Sequence, residues 1–128
     1  MTRRLLLLAA VVTLGAGSVW AHHSFAAFDV DSQKTVTGTV SKVDWTNPHT
    51  WIWVDVVDAD GGVDTWGFEG MSPNYLARRG WKRTTLVPGD TITVTFRPLK
   101  NGENGGMFMR GERPDGLVLT MGGAQTQP

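Results

Sequence analysis

The chain has 128 residues, 12 basic and 12 acidic side chains, a formal net charge of zero with histidine counted neutral, and no cysteine. That balance does not suggest the concentrated basic surface that a nucleic-acid partner requires. The missing thiols exclude disulfides, a lipoprotein anchor, zinc ribbons and iron–sulfur clusters.

The N-terminus follows the three-part plan of a secretory signal. Arg3 and Arg4 are basic, Leu5 to Leu14 is an uncharged apolar run, and Val19-Trp20-Ala21 offers small residues three and one before a cut. The stretch from Leu5 to Trp20 is 16 residues, short of the roughly 20 that a spanning helix needs. The pattern predicts a signal peptide over 1–21, cleavage after Ala21, and a protein that is periplasmic or secreted with no permanent membrane anchor. Cleavage leaves 107 residues with net charge −2, enough for one domain with one modest core.

After a lead segment (22–34), the chain reads as strands separated by turn signals. Thr35 to Trp45 is rich in β-branched residues, with Val36 and Val40 on one face. Its alternation slips between Val40 and Val43, and Gly38 lies inside it, as in a strand bending round a barrel corner. Asn47-Pro48 predicts a turn. Thr50 to Val57 puts Trp51 and Trp53 on one face and Ile52, Val54 and Val56 on the other. Asp58 to Gly62 is a hairpin loop, and Val63 to Gly70 returns with Trp66 and Phe68 on a shared face. Ser72 as N-cap, Pro73 at the first position and Gly80 as terminator mark one short helix over Asn74 to Arg79. Thr91 to Arg97 alternates Ile92, Val94 and Phe96. A glycine-rich loop covers Asn101 to Gly106, and Phe108 to Arg110 and Leu117 to Met121 predict a last hairpin. From Gly122 a disordered tail is expected.

Three strands, a short helix and two or three more strands give a mainly β fold. The best match is a small OB-like barrel of five to six strands over 35–121, with its helix between the third and fourth strands. A flat meander or small sandwich is the alternative. Neither names a function.

His22, His23 and His49 are the only histidines. A histidine released at the N-terminus chelates a metal through its α-amine and ring nitrogen together. With a third nitrogen from His49 the set is similar to the histidine brace of copper proteins, and His23 is an alternate ligand. Nitrogen-rich tetragonal coordination selects Cu(II) or Ni(II), which makes copper the candidate cofactor. The ordinary reading is that His22 and His23 are merely exposed and His49 caps a strand.

Met107 and Met109 share a strand face, and thioethers select Cu(I). A periplasmic OB-fold copper chaperone uses a histidine, a Met-x-Met pair and a tryptophan, but here the pair falls near the last strands, and alternating methionines more often fill cores. Trp51 and Trp53 pose a choice. Exposed, they and Asn47 could hold a sugar or a periplasmic protein partner; alternatively, a barrel this small builds its core from tryptophan and leaves the valines under other segments. The second is favoured here. Arg78, Arg79, Lys82 and Arg83 read as a solvated face. Ser24 lacks the surroundings of a nucleophile, and nothing fixes the separation of Asp55 and Glu69. A binding protein is expected rather than an enzyme.

Several segments together carry a family resemblance: His22 to Asp29 (HHSFAAFD), Val36 to Val40 (VTGTV), Trp45 to His49 (WTNPH), Phe68 to Gly70, Ser72 to Asn74, Arg78 to Trp81 and Pro88 to Asp90. The chain resembles a family of small exported bacterial proteins catalogued as a domain of unknown function. The resemblance implies export and one small β domain, and brings no established activity. Its motif residues His22, His23, Asn47, Pro48 and His49 become candidates for a family-level site; Met107 and Met109 lie outside the pattern.

The first measurement is the mass of the exported protein. A chain beginning at His22 is expected, and a mass that retains 1–21 contradicts the cleavage.

Overall fold

A computed structural model describes residues 25–126; the expected signal peptide (1–21), His22, His23 and Ser24 lie outside the described residues. The strands are β1 (Lys34–Asp44), β2 (Trp51–Val57), β3 (Val63–Glu69), β4 (Thr91–Pro98), β5 (Gly105–Glu112), β6 (Leu117–Thr120) and β7 (Gly123–Thr126), with helix α1 (Pro73–Ala77) between β3 and β4. They hydrogen-bond in the order β3-β2-β1-β4-β5-β6-β7, and β3 also pairs with β5. That last pairing is parallel and closes the first five strands into a barrel. The architecture is the small barrel that the strand–helix order predicts, extended by two strands.

β1 belongs to both halves of the wall because it bends. Its N-terminal part pairs with β4, Lys34 against Phe96 to Thr39 against Thr91. Its C-terminal part pairs with β2, with a register shift between Val40 and Lys42 where the hydrophobic alternation slips. Gly38 permits the crossing: a Cβ there would collide with the Asp55 carbonyl and come within 2.7 Å of the Val54 side chain. The extra residue of a bulge sharpens the local twist.

Inside, Val40, Ile52, Val54, Phe68, Ile92, Val94, Phe96 and Phe108 are buried. Each fully buried aliphatic or aromatic side chain contributes about 1.5–3 kcal/mol. The rings of Phe68 and Phe96 lie 5.0 Å apart, and Trp66 meets Phe96 edge-on at 5.7 Å. The expected tryptophan core over β2 is therefore overturned. Ile52 and Val54 face inward at 1% and 0% exposure, while Trp51 and Trp53 are half-buried on the outer face. Branched side chains fit an interior already crowded by three phenylalanines; two indoles do not.

α1 is shorter than expected, ending at Ala77. Ser72 Oγ accepts from the Tyr75 N–H at 3.3 Å, and Pro73 occupies the first turn. Arg79 donates to the Tyr75 carbonyl at 3.2 Å and lies 3.5 Å over its ring. Pro73 and Leu76 carry the buried side of the helix. Trp81 is buried nearby, its indole N–H donating to the Thr120 carbonyl at 3.0 Å.

Two expectations near the C-terminus change. β5 starts at Gly105, inside the expected glycine loop, and Gly123–Thr126 form β7 where a tail is predicted. β6 leaves one edge of backbone groups open, and β7 satisfies it, Leu117 to Thr120 pairing with Thr126 to Gly123.

Gly105 has φ 139°, and a Cβ there would strike the Gly67 carbonyl. Gly105→Ala is expected to destabilise by roughly 2 kcal/mol, lowering Tm by about 8–16 °C. Gly122→Ala, whose Cβ would meet Thr120 at an ordinary 3.5 Å, should leave Tm within a few degrees. Thermal unfolding followed by circular dichroism compares the two.

Candidate functional site

Barrel closure builds a cavity of ≈ 200 Å³ on the outside of β3 and β5. In the parallel ladder Glu69 lies opposite Met107. Phe108 is fully buried, so the alternation of β5 turns Met107 and Met109 outward, and both are half-buried. His49 comes from the turn after β1, which contains a cis Asn47–Pro48 peptide. The next residue, Thr50, is buried; its N–H donates to the Met71 carbonyl at 3.0 Å and its carbonyl accepts from Gly70 at 2.8 Å. That clasp sets His49 beside Glu69. Met121, from the β6–β7 turn, comes close to Gly70, its sulfur 3.9 Å from where a Cβ would stand.

The fourth side is the lead segment. Phe28 bridges to Leu99, Asp29 N–H donates to the Pro98 carbonyl at 2.8 Å, and Lys100 N–H donates to Ala27 at 2.9 Å. Arg97 donates to the Val30 carbonyl. Ser32 Oγ donates to Asp29 at 2.6 Å, and the Asp31 N–H adds a 3.2 Å bond; these hold the Asp29 carboxyl below its usual range. The segment is thereby fastened with Phe28 buried and Phe25 61% exposed, both lining the cavity.

The polar lining is a pair. His49 Nδ1 is hydrogen-bonded to Glu69 Oε1. An ionised carboxylate only accepts, so Nδ1 is the donor of this bond, and Nε2 is the nitrogen that Glu69 leaves unengaged. Carboxylate-oriented histidine of this kind is the usual support of a metal ligand. All four methionines of the described residues, Met71, Met107, Met109 and Met121, line the same cavity. Among the described residues no group of three or more His, Cys, Asp or Glu could hold a metal. A cation bound here would therefore need sulfur ligands or nitrogens from beyond the described residues.

The other predicted residues lie elsewhere. Asn47 is exposed on the turn, outside the cavity. Trp51 and Trp53 stack on the outer face of β2, centroids 5.7 Å apart at 19°. Trp53 also lies flat against Gly67, where a Cβ would come within 2.7 Å of its ring, and its indole donates to Asp44 at 2.9 Å. Asp55 accepts from Thr65 and does not meet Glu69. Sequence reasoning assigned no role to Met71 or Met121 and left Glu69 unpaired; no spacing in the chain announces a cluster drawn from β3, β5 and the β6–β7 turn.

Fold and cavity define a small closed β-barrel with an external pocket of imidazole, carboxylate and thioethers. A family model described as a family of unknown function (DUF6152) matches residues 10–109, and the chain belongs to that family. No curated protein and no solved structure matches the chain.

Asp44 gives a pH test. The Lys42 ammonium at 2.7 Å, helped by the Trp53 indole, lowers its carboxyl from the usual value. A carboxylate stabilised in the fold contributes stability above its unfolded pKa of about 3.9 and loses it as pH falls through the lower folded value. Denaturation of wild type and Asp44→Asn should thus differ above about pH 4 and converge in stronger acid. A difference constant down to the lowest pH contradicts this.

Proposed function

We propose that the protein is an exported, periplasmic copper-binding protein whose processed N-terminus completes a site at the His49 cavity. The observation that carries this is that Phe25 and His49 line one cavity. His22 precedes Phe25 by three residues, and a chain spans at most about 3.6 Å per residue. The His22 Cα can thus lie no more than roughly 11 Å from the Phe25 Cα. Together with His49 Nε2, and with His23 as alternate ligand, they make the nitrogen-rich set that suits Cu(II). The Glu69 bond supports the reading, because it leaves His49 the free nitrogen that a ligand needs.

The tryptophan face, read as a platform for an oligosaccharide or protein partner, has less support. Trp53 already covers Gly67 and stacks on Trp51, so less of its ring is left for a guest.

The test expresses the protein with its own signal, confirms the His22 start by mass, and titrates Cu(II) by calorimetry. One extra residue before His22, or His49→Gln, should each weaken binding at least about 100-fold, more than the loss of an outer-shell partner typically costs. Unchanged affinity with the extended N-terminus removes the amine from the site.

A further inference from the structure

We infer that the cavity is also a Cu(I) site, with ligands drawn from the thioethers of Met71, Met107, Met109 and Met121 together with His49 Nε2. This rests on the reading of the His49 cavity as a copper site, and adds the oxidation state and the sulfur ligands.

The first support is where the methionines are. Methionine is a flexible gap filler of cores; none among the described residues is fully buried, and Met71 and Met121 pack against the edge of the core. All four in the described residues are half-buried on the wall of one open cavity. They arrive from three separate places: the segment after β3, both outward positions of β5, and the β6–β7 turn.

Chemistry points the same way. Thioethers are soft, neutral donors that select Cu(I), whereas carboxylates and carbonyls suit harder cations. The one carboxylate lining the cavity, Glu69, is engaged by His49. Phe25 and Phe28 of the lead segment complete the lining. The cavity, at ≈ 200 Å³, is also smaller than the roughly 300–1,000 Å³ of organic-ligand pockets.

The experiment titrates the mature protein with Cu(I) under anaerobic conditions against a chromogenic Cu(I) chelator. Wild type is compared with Met107→Leu/Met109→Leu, with Met121→Leu and with the chain extended before His22. Leucine conserves apolar volume, and thermal unfolding confirms that each variant is folded. Expected are 1:1 binding by wild type, a sulfur shell in copper X-ray absorption, and a loss of at least about 100-fold in the double variant. The extended chain should keep its Cu(I) affinity while losing Cu(II). Equal Cu(I) affinity in folded Met→Leu variants, or absence of Cu(I) binding in wild type, overturns the inference; so does loss of Cu(I) in the extended chain. If Cu(II) binding persists in any of these cases, the copper reading survives without the thioethers. If only Cu(I) binds, the nitrogen set fails and the sulfur set stands.

Discussion

A barrel closes only where its first and last edges approach within backbone hydrogen-bonding distance, and in this chain that approach is glycine against glycine. Gly67 lies opposite Gly105 in the parallel ladder, and a side chain on Gly105 would occupy the Gly67 carbonyl. Gly106 is as confined, since a Cβ there would strike the Arg97 carbonyl of the neighbouring strand. Gly67 answers a further demand on its outer face, where Trp53 lies flat against it. Backbone freedom is costly to restrict at glycine. Here the cost is met by the interior that closure seals, with Phe68, Phe96 and Phe108 all at 0% exposure.

The same contact determines what lies outside. Once Gly67 and Gly105 are in register, Glu69 must fall opposite Met107; Met109, the extra residue where the β4–β5 register shifts, lines the same cavity. The strands therefore place the two thioethers of β5, while their stems stay flexible. His49 is placed differently. Its position derives from Thr50, whose backbone groups are both taken by the segment after β3.

Local physics made the barrel readable and the site nearly invisible. The bend in β1 is written in a phase slip and Gly38, and the helix in Ser72-Pro73 and Gly80; each is a signal spanning a few residues. The inward face of β2 was misread because Trp51-Ile52-Trp53-Val54 alternates both ways. Only the crowding by phenylalanines from β3, β4 and β5 decides which set goes inside. β7 was missed because its short, glycine-bearing segment has little pattern of its own and forms on the edge that β6 supplies. His49 was legible as chemistry from its scarcity. Its partner Glu69, twenty residues on, and the methionines from β5 and the β6–β7 turn meet it only through closure, which no single segment encodes.

Both proposed donor sets pass through one atom. Glu69 holds His49 Nδ1, so Nε2 is the one ring nitrogen left to offer a ligand. A nitrogen set from the N-terminus and a sulfur set from the cavity wall cannot each possess it at the same time. The two copper states would then compete for one protein rather than fill it together. The lead segment is common to both, because its contacts with residues 98–100 hold Phe25 and Phe28 in the lining that the methionines share. In such an arrangement the Glu69–His49 pair is the common support of both sets, and the thioethers and the terminal amine are what tell them apart.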